Sequence, residues 1–254
     1  IQRKFIESSS KEVKSLFDQV SKMRSMNISN SAKIGADVFL TKKTTIGATL
    51  NGFYNKGIFT NNSDIDIANP EGVMLGNTLA SSRSESLWKH FGSNVNLRHV
   101  FDTTGKELTA DVDYLHYDAS NTQNLVNSYF NTNGAPTFVP DTLLGLLPQL
   151  ISIYSAKADY VHPMAKGARF EAGLKTSFVE TDNNAVYDSV INNNLVRDLG
   201  RSNHFIYREN INAAYVSYSR PISKKISGQF GLRLENTLAR GHQKTTGETF
   251  TLNY

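Results

Sequence analysis

Apolar and polar residues alternate with a period of two along most of this chain, the spacing of β-strands. The clearest stretch is residues 154–178. Tyr154, Ala156, Ala158 and Tyr160 fall on one face, against Ser155, Lys157 and Asp159. After a short turn over 163–167, Phe170, Ala172, Leu174, Thr176 and Phe178 oppose Arg169, Glu171, Lys175 and Ser177. With Tyr160 opposite Ala168, the register sets Asp159 against Arg169 and Lys157 against Glu171. Opposite-charge cross-strand pairs contribute roughly 0.2–1 kcal/mol each and help hold register.

Three more hairpins follow the same rule. Ala32, Ile34, Ala36, Val38 and Leu40 alternate with Lys33, Gly35, Asp37 and Phe39, and a tight turn over 41–44 leads to Ile46, Ala48 and Leu50. Phe91, Val95, Leu97 and Phe101 share a face opposite Asn94, Asn96 and Arg98. The turn over 102–106 returns that strand to Leu108, Ala110, Val112 and Tyr114, with Thr109, Asp111 and Asp113 on the other side. Phe101 opposite Leu108 places Arg98 against Asp111. Residues 207–219 form a strand whose outward face is less clear. After a turn over 221–225, Ile226, Phe230, Leu232 and Leu234 alternate with Ser227, Gln229, Arg233 and Glu235.

Between the hairpins, residues 55–83, 118–150, 180–203 and 237–248 read as loops rich in Asn, Ser, Gly and Asp. Near the start, Ser9 and Glu12 have capping-box spacing, and Val13, Leu16, Phe17, Val20 and Met23 recur at helical intervals. A short amphipathic helix and a loop that packs a few apolar residues both fit. The stretch 138–153 is apolar but broken by Pro140 and Pro148. It either packs into an interior or meets a partner, or forms a small hydrophobic loop cluster.

The tight turns sit near Lys42, Thr104, Ala165 and Ser223, about 60 residues apart, and the intervening connections are long. A soluble sandwich has turn signals every 8–12 residues and no reason to segregate loops by length, whereas an outer-membrane barrel has short periplasmic turns and long external loops. Tyr54, Phe101, Tyr114, Tyr160, Phe178 and Tyr218 fall near strand ends, where interfacial aromatic girdles belong. The expected fold is all-β: an antiparallel transmembrane β-barrel, a portion of a larger one, with about ten strands in residues 1–254. Residues 1–6 and 250–254 read as strands at the two ends, so the chain reads as part of a longer protein. A soluble β-protein that binds carbohydrate through its loops is the competing architecture.

Composition narrows the chemistry. The 254 residues carry a net charge of +4, with 39% hydrophobic and 20% charged residues. Basic side chains are dispersed among acidic ones, so no nucleic-acid groove is expected. There is no cysteine, which excludes disulfides and thiolate metal sites. No run of 18 apolar residues exists to form a membrane helix. The six histidines show no metal-ligand spacing, and no nucleophile elbow, phosphate loop or dinucleotide fingerprint occurs. Asn62, Asp64 and Asp66 approach calcium-loop spacing, but Ile67 stands where glycine is required and the final glutamate is missing. Asp111 and Asp113 share a strand face, as an acid/base pair would. On a barrel wall a lumen ion-pair network suits them better. No catalytic, cofactor or metal site is expected.

Several segments resemble the outer-membrane β-barrel family related to TonB-dependent receptors. Residues 32–47 look like a first barrel hairpin. Residues 156–160, 171–175, 207–215 and 231–237 resemble successive later strands. The resemblance implies an outer-membrane importer, typically of 22 strands, with an N-terminal plug worked by an inner-membrane TonB complex. It also implies lipid contact and a possible surface lipoprotein partner, and it leaves the substrate open. A non-transport barrel, serving as an anchor or as part of a surface or secretion assembly, is the alternative. The expected lumen-facing residues are Arg98, Asp111, Asp113, Lys157, Asp159, Glu171, Lys175, Arg233 and Glu235. They would keep the lumen hydrated and anchor the plug.

Overall fold

The computed structural model describes residues 2–6, 13–191 and 194–254. These form one 11-stranded antiparallel sheet whose strands follow chain order, apart from one short strand off the main path. The strands are β1 (Gln2–Ile6), β2 (Val13–Thr41), β3 (Thr44–Ala68), β4 (Met74–Val100), β5 (Glu107–Phe130), β6 (Asp141–Pro163), β7 (Arg169–Ile191), β8 (Asn194–Arg197), β9 (Asn203–Ser223), β10 (Ile226–Gln243) and β11 (Glu248–Asn253). The short β8 pairs only with the far end of β7, and β9 takes up the rest of that edge. The sheet is open. β1 covers only the start of β2, and β11 covers only Leu238–Gln243 of β10.

All four tight turns fall where the alternation places them, along one margin of the sheet. They are the Lys42–Lys43 turn, the 101–106 connection, the turn around the single helical turn Ala165–Gly167, and the Lys224–Lys225 turn. Pro221 belongs to β9 and not to its turn. Turn chemistry accounts for their tightness. In the second, the Asp102 carboxylate accepts from the Thr104 backbone N–H at 2.9 Å, and Gly105 takes φ 94°, which a side chain would oppose.

The other margin differs from the sequence reading. Most of the four loops inferred there are strand, and the connections shrink to 69–73, 131–140, 198–202 and 244–247 within the described residues. Asn, Ser and Gly signal loop because they pack little apolar surface, but here each lies between two partners in a continuous ladder. Cross-strand hydrogen bonding overrides weak local propensity. Strands of 21 to 29 residues result at β2, β3, β4 and β9, against ~5–6 in an ordinary sheet.

Three further expectations are corrected. Val13 to Met23 is the start of β2, paired with β1 and β3, and not helix. The proposed capping residues Ser9 and Glu12 lie outside the described residues. The apolar stretch 138–153 is mostly strand β6, with Leu143 and Leu147 on one face and Leu144, Leu146 and Leu150 on the other. The charge registers also shift. Tyr160 pairs with Ala172, which sets Asp159 against Gly173 and Lys157 against Lys175. Arg98 pairs with Thr109, and Asp111 with Asn96 and Lys157. A wider turn around 163–169 than the sequence suggests slides the β6–β7 hairpin, and turn geometry sets hairpin register.

Candidate functional site

The nine charged residues singled out above fall on one face. The register Thr45–Arg98–Thr109–Asp159–Gly173–Tyr215–Arg233 forms one row across the strands. The next row outward from the turns is Asp37–Gly47–Asn96–Asp111–Lys157–Lys175–Ala213–Glu235. Asp113 stands one row further along, and Glu171 one row nearer the turns. A barrel that crosses a membrane turns its polar face inward and its apolar face to lipid. On the charged face Asp111 and Glu107 are 25% and 28% exposed beneath their partners Lys157 and Arg98 at 50% and 62%, while Val112 and Leu174 stand out from the opposite face.

The pairing differs from the expected scheme but satisfies most of the charges. Arg98 holds Glu107 at 2.9 Å, Lys157 holds Asp111 at 3.4 Å, and Arg169 holds Glu171 at 2.6 Å. Arg233 pairs with Glu235 along its own strand. Asp113 accepts from Asn94 Nδ2 at 2.7 Å and Ser155 Oγ at 3.0 Å. Lys175 stands directly opposite Lys157 and has no ion pair among the described residues. Half-exposed pairs of this kind contribute ~0–1 kcal/mol each, so they specify a hydrated wall more than they stabilise it.

Asp159 is held by a residue that periodicity does not single out. The Tyr215 hydroxyl donates to its carboxylate at 2.7 Å, crossing the intervening strand β7. The crossing is possible because the residue beneath is Gly173. A Cβ there would stand 2.3 Å from the Tyr215 ring and 2.4 Å from Asp159 Oδ1. A glycine on the inner face of a strand, between an aromatic and an acid, is the signal that could have revealed it.

The opposite face carries an apolar band between two aromatic rows. On the far side, Phe91, Tyr114, Tyr154 and Phe178 follow one another on β4 to β7, with ring centroids 6.5, 5.0 and 6.5 Å apart. On the turn side, Phe101 and Tyr160 are 6.1 Å apart, and Phe170, Tyr218 and Phe230 are cross-strand neighbours. Eight residues separate Phe170 from Phe178. Counting both ends this is nine residues of strand, ~26 Å along the chain, within the ~9–11 residues that a tilted strand needs to cross a bilayer. The band drifts along tilted strands. On β2 it reaches Ile28 and Met26, whereas Asn212 and Asn236 already lie beyond it on β9 and β10. This drift explains why the outward face of β9 reads poorly.

Past the far girdle the two faces change character. Outward positions now carry the ion pairs Lys89–Asp118, Arg83–Glu85 and Arg208–Glu180. The Arg83 guanidinium holds the Glu85 carboxyl below the usual carboxylate range. Over the next rows of β4 to β7 the inward face carries no charged side chain and gains aromatics, while on β9 Glu209 accepts from the Tyr207 hydroxyl at 3.0 Å. The rings of Phe53, His90 and Tyr117 run side by side, with centroids 5.1 and 4.4 Å apart, and Trp88 stands one row above. Asn51 Nδ2 lies 2.9 Å from His90 Nε2, while His90 Nδ1 is buried with no partner among the described residues.

No helix among the described residues is long and apolar enough to cross a membrane. Asp64 and Asp66, weighed above as calcium ligands, both accept from Asn77 Nδ2 on a strand. An antiparallel sheet with a girdled apolar band outside and a paired polar wall inside is a transmembrane β-barrel wall. A model of the outer membrane protein beta-barrel family matches residues 99–254, and the chain belongs to that family. Its place is the cell outer membrane. No curated protein matches the chain.

Proposed function

We propose that this barrel is the conducting part of an outer-membrane importer similar to TonB-dependent receptors. The observation that supports it is the charged wall. Across β4 to β10 it carries paired acids and bases and a Lys175 with no ion pair among the described residues, on a sheet that does not close on itself. Small barrels of about eight strands close and fill their interior with side chains, whereas wide ones leave a lumen that is open or plugged. Arg98, Asp111, Asp113, Lys157, Asp159, Glu171, Lys175, Arg233 and Glu235 keep such a lumen hydrated and offer hydrogen bonds to a plug. A TonB complex would act on that plug, and a surface lipoprotein would meet the extended outer rim. The role is binding and passage, with no bond chemistry.

Planar-bilayer recording of the full-length protein tests this. The intact protein is expected to be nearly silent and to open to a large conductance when a denaturant step releases the plug. A protein that stays silent in both states is an anchor or assembly component, and the proposal then fails.

A further inference from the structure

Above the girdle, one row of the inner face reads Asn55, Trp88, Ala119, Gln149 and Asn183 on β3 to β7. At ~4.8 Å per strand this row is ~19 Å long. Ala119 forms a small floor beside Trp88, and Asn121 stands one row higher. A cavity of about 260 Å³ opens here, lined by Trp88, Asn121, Gln149 and Asn183 among others.

The cavity has a local cause. Leu147 and Pro148 have no partner on β7, although the ladder resumes at Gln149 opposite Asn183. Pro148 has no N–H to give, so the rungs are lost and the two strands part.

Three features define what would fit. The row contains no Lys, Arg, Asp or Glu, and so offers nothing to balance a phosphate, a carboxylate or an ammonium. The side chains of Asn55, Gln149 and Asn183 hydrogen-bond to no protein group among the described residues. Asn121 uses only its oxygen, accepting from Ser84 Oγ at 3.1 Å. Trp88 is partly exposed beside these amides, with the Phe53–His90–Tyr117 platform one row below.

Unsatisfied amides supply donors and acceptors side by side, and an indole face supplies apolar contact. A neutral sugar has the complementary form: a ring with an apolar C–H face and a rim of hydroxyls that both donate and accept. We infer that this recess binds a neutral oligosaccharide, one ring against Trp88 and its hydroxyls bonded to Asn55, Asn121, Gln149 and Asn183. The cavity falls just below the ~300 Å³ that accepts drug-sized ligands, which suits one ring, and the ~19 Å row accommodates further rings. The inference names a ligand class for the importer proposed above, and rests on that reading only for the direction of passage.

The test uses the full-length protein in lipid nanodiscs, screened on an array of neutral oligosaccharides, with the best binder titrated by calorimetry. Trp88→Ala and the double variant Gln149→Ala/Asn183→Ala are expected to weaken binding about tenfold or more. Trp88→Phe, which keeps an aromatic face, stays within about threefold. Heat-dependent gel migration shows that each variant is a folded barrel, and conductance after plug release stays at the wild-type level. Absence of neutral glycan binding, preference for a peptide or an anionic ligand, or unchanged binding by Trp88→Ala overturns the inference. Conductance failing while glycan binding stands removes only the import reading.

Discussion

Gly173 has no room for a side chain on the inner face, because the Tyr215 ring passes over it to reach Asp159. Gly173→Ala forces that ring aside and is expected to lower stability by ~1–3 kcal/mol, the usual range for overpacking. Tyr215→Phe loses only the hydrogen bond, ~1 kcal/mol. Tyr215→Ala in the Gly173→Ala background removes the ring that the new methyl meets and leaves only the contact with the Asp159 carboxylate, so urea unfolding of Gly173→Ala, Tyr215→Ala and the double variant should show a double loss well below the sum of the singles; additive losses would refute the crossing. Asp102 offers a pH test outside the membrane. Hydrogen bonds from Thr104 hold its carboxyl below the usual range. A lowered folded pKa adds stability above the unfolded value of about 3.9, and that stability is lost as pH falls through the folded value. The unfolding midpoints of wild type and Asp102→Asn should therefore differ at pH 6 and converge below about pH 4.

At the scale of the strand, what matters is where the face changes polarity. Leu174 lies in the apolar band, 64% exposed to what is lipid in the cell. Thr122 points to the same side of the sheet but stands beyond the far girdle, opposite Glu85. Leu174→Arg is expected to cost ~2–4 kcal/mol near the bilayer midplane, and Thr122→Arg less than about 0.5 kcal/mol. Folding into vesicles under a urea gradient measures both, and equal costs would place the membrane boundary elsewhere. These strands also show the limit of composition. Asn, Ser and Gly in residues 55–83 and 118–150 signal loop, yet much of this length is ladder, because each strand there has a neighbour on both sides.

For the whole molecule, the girdles divide each strand into a membrane part beside the tight turns and an extension beyond. From Met74 to Phe91, β4 runs about 40 Å past the far girdle if it tilts as barrel strands do. The expected orientation has the tight turns in the periplasm and the extensions outside. These 254 residues contain no cysteine, so a single introduced cysteine is the one thiol in this stretch. In intact cells, an impermeant maleimide should label Thr122→Cys at once and Lys42→Cys only after the outer membrane is opened. The reverse pattern would invert the barrel and place the Trp88 recess on the periplasmic side.

The sequence by itself determined the strand class, the four tight turns, the two faces and the nine charges on one of them, because a period of two and turn chemistry are local properties. It did not determine registers, so Arg98 meets Glu107 and Asp159 meets Tyr215 in place of the partners that alternation suggests. Nor did it determine strand length or the exchange of polarity beyond the girdle. Those depend on which residues lie opposite one another across five or more strands. Only the assembled sheet brings Asn55, Trp88, Gln149 and Asn183 into one row.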